Sequence, residues 1–287
     1  MHLTRRQLLQ SGWTDGRIAR AVRDGRLTRI RAGHFADRPI DEQTRRAVRV
    51  GGRLACVSEL RHRGIWVLDS EPVHVHLAAN AARLRPDPCD SRGHWRPLVE
   101  PAVGDPDHVS LVDALLQARD CLGRHEWLAS VDSALHLRLL QPRDRELLRA
   151  ALRCRYRSEL DVADQRAESG LESIVRLVAL DLGFRVRSQV TFPGIGRVDL
   201  LVEDWVAVET DGSAFHDLPL AAVDRRRDAL LAAAGRTVLR PGYALIVHDR
   251  RAVARQLIGA VESHRRVRDS GRLAARARRR LERTGLA

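Results

Sequence analysis

The sequence predicts an α/β protein with a small N-terminal helical unit, a mainly helical middle region and a layered C-terminal domain. Three observations carry this. Residues 1–50 read as helix, turn, helix and hairpin. Residues 51–160 carry mostly helical apolar spacing. Residues 161–265 read as helix, three strands, helix, strand and helix, an α/β layered order. A basic tail, 266–287, follows.

The N-terminal elements are punctuated by local signals. Thr4 and Gln7 have capping-box spacing ahead of Leu8 and Leu9, and Ser11-Gly12 stops the helix. Thr14 or Asp15 can cap a second helix, whose apolar positions Ile18, Ala21 and Val22 share a face and which ends at Gly25. Leu27, Ile30 and Phe35 then flank a turn at Ala32-Gly33, the pattern of a two-stranded hairpin. Two helices followed by a basic hairpin is the layout of a winged helix. Arg17, Arg20 and Arg23 on the second helix, with Arg26, Arg29 and Arg31 on the wing, are candidate contacts to phosphates and groove edges. The plain alternative is a solvated arginine-rich face.

In the middle region, Asp41 to Leu68 is expected to be helical, with Leu54, Val57, Leu60 and Trp66 in the core. VHVHLA, residues 73–78, alternates as a strand, so His74 and His76 share a face; an exposed face is the expectation, rather than a metal site. Pro86, Pro88, Pro97, Pro101 and Pro106 mark irregular chain. Three helices are expected over Ser110–Cys121, Glu126–Leu135 and Arg143–Cys154, then a polar linker over Arg155–Arg166. Cys56, Cys89, Cys121 and Cys154 form no CxxC pair, so reduced thiols are expected rather than a zinc knuckle.

The C-terminal pattern is the clearest. Leu171, Ile174, Val175, Val178 and Leu182 repeat at helical spacing before Gly183. RVRSQVTF alternates as a strand, and Pro193-Gly194 turns the chain. GRVDLLV and DWVAVETDG read as an antiparallel pair joined at Glu203-Asp204. Asp224–Ala234 reads as a helix stopped by Gly235, TVLR as a strand and Tyr243–His264 as mostly helical. The tail RLAARARRRLER reads as a frayed, partly ordered basic arm.

Composition narrows the partners. Net charge is +13, with 44% hydrophobic residues, and all 50 basic residues are arginine. Such a surplus favours an anionic partner: nucleic acid first, an anionic membrane surface second. The plain alternative is codon usage, since GC-rich codons favour Arg, Ala, Gly, Val and Leu, all abundant here. The chemical consequence stands: guanidinium groups bind phosphate and guanine in bidentate fashion, and no lysine is available to any site. No apolar run of about eighteen residues occurs, so no membrane span is expected. The opening MHLTRRQLLQSGW lacks a signal-peptide core, which gives a cytoplasmic expectation.

Four acids stand out: Glu172, Asp199, Glu209 and Asp211. Glu209 and Asp211 lie two apart on one strand and point to one face, and strand pairing can bring Asp199 beside them. Acids in apolar strands need a counter-charge, which a divalent cation supplies. Mg2+, or Mn2+ in its place, takes oxygen ligands and keeps waters; Asp199, Glu209 and Asp211 are the candidate ligands. His216 is a candidate acid or base, and Arg225, Arg226 and Arg227 are candidates for the DNA backbone. The alternative is a set of strand-end acids paired with arginines. Glu172, on the helix around Leu171, is placed to reach the site.

The run SGLESIVRL, QVTFPGIGRVDLLV, VAVETDGSAFHD, DRRRDALLAAAG and TVLRPGYALIVHD resembles domain-of-unknown-function family 559, related to very-short-patch-repair endonucleases within the PD-(D/E)XK nuclease fold. The resemblance covers about a third of the chain. It implies a restriction-endonuclease-like domain with Asp199 as the metal-binding aspartate and Glu209 as the acid of the E-x-K element. Asp211 then stands where the usual lysine, or the repair enzymes' histidine, would be. His216 matches their second histidine and Glu172 their helix glutamate, and the Thr210 carbonyl is a further ligand candidate. RQLLQSGWTDGRIARAVRDGRLTRIRAGHFA, continued by LACVSELRHRGIWVL and VHVHL, resembles the winged-helix region of AbiEi-type antitoxins, which bind operator DNA.

These readings give three expectations. The first is a Mg-dependent DNA endonuclease or nickase, a hydrolase targeted by a winged helix. The second is an AbiEi-like transcriptional regulator or antitoxin with an inactive nuclease fold, for which a cognate toxin or a second copy would be a partner. The third, a nucleotide-binding protein, is weakened because no GxxxxGK[ST] loop or dinucleotide fingerprint occurs.

Overall fold

The computed structural model describes residues 2–68, 71–79, 81, 90–103, 106–210 and 218–284, with side chains outside 218–225 and 269–284. The chain divides into two units, Met1–Ala163 and Asp164–Ala287. Helices and sheets occur in both, as an α/β class requires.

In the first unit, strand β1 (His2–Thr4) runs into α1 (Arg5–Gln10) through a reciprocal capping box. The Gln7 N–H donates to the Thr4 hydroxyl at 3.2 Å, and the Thr4 N–H donates to the Gln7 side-chain oxygen at 2.8 Å. Thr14 caps α2 (Asp15–Arg23), and the left-handed Gly25 follows its end. The hairpin β2 (Thr28–Arg31) and β3 (His34–Ala36) turns at Ala32-Gly33, as expected. Beyond the two expected strands, β1 adds a third, in the order β1-β3-β2. Leu8, Ile18, Ala21, Leu27 and Phe35 form the core beneath, with Leu3, Trp13 and Val22 against it.

The helix expected from Asp41 to Leu68 is broken. It divides into α3 (Glu42–Val50), β4 (Arg53–Leu54) and α4 (Cys56–His62). Gly51 leaves α3 with φ 111°, and Gly52 lies so close to β5 (His74–His76) that a Cβ there would overlap the His76 carbonyl and the Val75 side chain. Tertiary strand pairing thus overrides helical spacing. Leu54, Val57 and Leu60 are buried, whereas Trp66 is half-buried.

β5 pairs antiparallel with β4 and parallel with β6 (Arg92–His94), a strand inside the proline-rich stretch read as irregular. Pro86, Pro88 and Cys89 lie outside the described residues. Contrary to the expected exposed face, His74 is buried. Helices α5 (Leu111–Cys121), α6 (Arg124–His136) and α7 (Pro142–Ala151) follow near their expected positions. Trp127 anchors them, fully buried, its indole N–H donating to the Leu115 carbonyl at 2.9 Å. The expected linker from Arg155 is instead largely helical: α8 (Cys154–Arg157) and a 3-10 turn at Ser158–Val162. The Arg119 guanidinium holds that turn with two hydrogen bonds to Glu159, both 2.8 Å.

The second unit opens on α9 (Gly170–Asp181), capped by Ser169. Then come β7 (Val186–Phe192), β8 (Gly196–Val202) and β9 (Val206–Val208), an antiparallel meander. After α10 (Leu218–Ala233), β10 (Thr237–Leu239) returns parallel to β9, giving the order β10-β9-β8-β7. α11 (Tyr243–His248) and α12 (Arg250–Thr284) complete it. The tail read as frayed continues α12 as helix to Thr284. Among the described residues, no helix is long and apolar enough to cross a membrane.

A histidine pair sits at the β1–β3 edge. His2 Nδ1 lies 2.5 Å from Asp107, and His2 Nε2 lies 2.8 Å from His34 Nδ1. Burial, then the Arg31 and His2 charges, lower the His34 pKa from 6.5 to about 4, against the pull of Asp107. A lowered folded value stabilises the neutral ring, so this contribution is complete above 6.5 and is lost as pH falls through about 4. Melting temperature should therefore drop across that window, and His34→Gln should flatten the drop in a pH series of thermal melts.

Candidate functional site

The meander sets the acids in a row. β8 and β9 pair Leu200 with Val208, Leu201 with Ala207 and Val202 with Val206. One step further, that register puts Asp199 opposite Glu209, and opposed residues share a face. Across β7 and β8, Ser188 pairs with Leu200 and Val190 with Val198, so Gln189 is the position facing Asp199. Gln189 takes φ 55°, a left-handed conformation inside a strand. The row is therefore Gln189, Asp199 and Glu209.

Each side chain is held. The Thr210 N–H and hydroxyl donate to Asp199 Oδ2 at 2.9 and 3.3 Å. The Glu209 N–H donates to the Leu239 carbonyl at 3.0 Å, fixing it between neighbouring strands. Glu209 is buried, and its two oxygens each lie 2.5 Å from a guanidinium, Oε1 from Arg227 and Oε2 from Arg240. Arg240 also bridges to Asp228 at 3.0 Å, and Arg227 donates to the Arg197 carbonyl. Glu172, buried in the first turn of α9, accepts from the Gln189 amide at 2.7 Å and the Glu168 N–H at 3.1 Å.

The electrostatics link these groups. Burial pushes the Glu172 carboxyl up, and the Asp199 charge adds to that. Burial also pushes Glu209 up; Arg240 and Arg227 pull it back, and Asp199 and Asp228 push it further. Among the described residues, Glu172, Asp199 and Glu209 do not make three ligand atoms within 4.8 Å of one another. What the fold brings together is the Asp199–Glu209 pair, with Glu172 joined through Gln189. Asp211 and His216 lie outside the described residues, as does the Arg225 side chain. Arg226 is exposed on α10.

Sequence reasoning missed Gln189 and Arg240. Gln189 carries no local signal, since its role comes from facing Asp199 across the sheet. Arg240 is reachable by register: β10 pairs Leu239 with Val208, so the next residue comes beside Glu209.

In the first unit, Arg17, Arg20 and Arg23 are exposed on α2 and Arg29 on β2, while Arg31 is half-buried. The Arg17 guanidinium sits 4.3 Å over the Trp13 ring, which holds its side chain against the helix. Arg26 is paired with Asp24 at 2.9 Å.

The raised Glu172 value gives a signed expectation. A carboxyl raised above its ordinary 4.5 is fully accommodated below that pH and costs stability as pH rises through its folded value. Glu172→Gln keeps an acceptor for the Glu168 N–H without the charge. Its melting temperature should match the parent near pH about 4 and exceed it near pH about 7.5, by a few degrees. Compared with known proteins, the chain matches no family model and no curated protein.

Proposed function

We propose that this chain is a DNA-binding protein that cleaves or nicks DNA phosphodiesters at a divalent-cation site centred on Asp199 and Glu209. One observation carries the reading: the β8–β9 register, continued one step, sets these two acids opposite each other on one face, at the end of the buried apolar pairs formed by Leu200–Val202 and Val206–Val208. The donor set suits the ion, because Mg2+ binds through one or two carboxylates and otherwise keeps its waters. Asp199 and Glu209 would hold it, and when bound it supplies charge neutralisation at the phosphate and an activated water.

The chain's own residues supply the rest. Arg227 and Arg240 compensate Glu209 in the protein alone, and both can turn to phosphate oxygens once a cation shares that carboxylate. In this reading Arg227 supplies the positive charge that the resemblance places on a lysine at position 211. Thr210 is the positioning residue for Asp199, and Gln189, beside Asp199 in the row, holds Glu172. The face of Arg17, Arg20, Arg23 and Arg29 carries the sequence-independent grip on duplex DNA, with α1, α2 and the β2–β3 hairpin as a winged helix.

A second reading is favoured by the double ion pair at Glu209. Such a pair can be purely structural, and the chain would then be a DNA-binding regulator with an inactive nuclease fold.

A supercoiled-plasmid assay with Mg2+ and with Mn2+ separates the two. The enzyme reading expects metal-dependent nicking that falls about 100-fold or more in Asp199→Asn, with DNA affinity unchanged. Undiminished DNA binding without nicking under either ion selects the regulator. Affinity should fall steeply with salt, and Arg20→Ala should shrink the slope of log K against log salt by about 1. A salt-independent affinity would overturn both readings.

A further inference from the structure

A second constellation lies wholly within the first unit, apart from the acids. Cys56 opens α4, His74 opens β5, His94 closes β6 and Cys121 closes α5. One ligand atom from each lies within 4.8 Å of all the others. His74 Nδ1 is 3.0 Å from His94 Nε2, which is 3.9 Å from Cys121 Sγ. In a tetrahedral zinc centre, with Zn–S near 2.3 Å and Zn–N near 2.0–2.1 Å, neighbouring ligand atoms stand about 3.3 to 3.8 Å apart. These two separations bracket that range, and with all four ligand atoms within 4.8 Å of one another, side-chain shifts of about 1 Å or less close the shell.

The surroundings are those of a built site. Cys56 is fully buried and His74 nearly so, while His94 and Cys121 are half-buried, which leaves a way in from solvent. Cys56 takes φ 54°, a left-handed conformation that a non-glycine residue keeps only where its surroundings impose it. Its N–H donates to Gln117 Oε1 at 3.1 Å, and the His74 N–H donates to the Ser58 hydroxyl at 3.0 Å. Both ligand backbones are thus fixed by side chains from the helices they join.

We propose that Cys56, His74, His94 and Cys121 bind one zinc(II) ion in a closed tetrahedral Cys2His2 site that ties α4 and α5 to the β5–β6 edge. Two thiolates and two neutral imidazoles match zinc's preferred donors, and four protein ligands leave no open position, which makes the site structural. It is independent of the nuclease reading, since none of its ligands lies in the second unit.

The test uses the full chain, desalted without chelator, with metal content read by plasma mass spectrometry. One zinc per chain is expected for the parent and for Cys154→Ser, whose thiol is exposed and outside the cluster. Cys121→Ser and His94→Ala should lose most of it. Those variants can misfold, so cobalt(II) provides a second readout. The parent should show intense tetrahedral d–d bands with sulfur-to-cobalt charge transfer. His94→Cys should keep the bands and raise the charge-transfer intensity by about half, as two thiolates become three. A folded parent holding under a tenth of an equivalent, or giving a weak octahedral cobalt spectrum, overturns the site. So does an intact mass two hydrogens low with a Cys56–Cys121 disulfide.

Discussion

The candidate site depends on one constraint, the antiparallel register of β8 with β9. Side chains alternate across a sheet, so a slip of one residue would send Asp199 and Glu209 to opposite faces. The turn between them sets the register. Three residues, Glu203 to Trp205, connect the paired Val202 and Val206; Glu203 and Asp204 take left-handed conformations, with φ 52° and 67°, and the Trp205 N–H donates to the Val202 carbonyl at 3.2 Å to close the turn. Glu203 is no spectator: it is buried, and its carboxylate accepts from the Arg185 N–H at 2.9 Å. Arg265 of α12 reaches the same carboxylate at 3.4 Å. Two acids thus hold a conformation that glycine would more easily adopt, because surrounding donors reward their side chains.

What was legible in the sequence was mostly local. The capping box at Thr4–Gln7, the stops at Gly25 and Gly183, and the turn at Glu203-Asp204 announce themselves within a few residues. What the sequence hid was long-range. Helical spacing through Gly51-Gly52 looks continuous until β4 must pair with β5. Strand β6 has no alternation to betray it; it exists because Arg92–His94 lies along β5. The Asp199–Glu209 pairing was inferable, since two strands and one turn define it. The approach of Arg240 required knowing that β10 lies parallel to β9. The approach of Cys56 to Cys121 is invisible in linear spacing, which says nothing about the ends of two packed helices.

The absence of lysine gives the electrostatics a uniform character. The cations fixed on Glu209 and on Glu159 are guanidinium groups, planar and able to donate in pairs. Asp199 is treated differently, being held by the backbone and hydroxyl of Thr210. The two acids of the pair therefore differ in kind: one is neutralised by arginine side chains, the other is held by the backbone and hydroxyl of the residue beside it. A carboxylate compensated by side chains can exchange partners, whereas one gripped by its neighbour's amide stays put.

The close approach at Gly52 has a mechanical consequence. With no Cβ, this residue lets β4 lie flush against β5, and Cys56 follows two residues after β4 ends. Any side chain at position 52 would act as a wedge between the strands, prising the start of α4 away from His74. The thiol's placement in the interior is thus governed by a residue that bears no functional group.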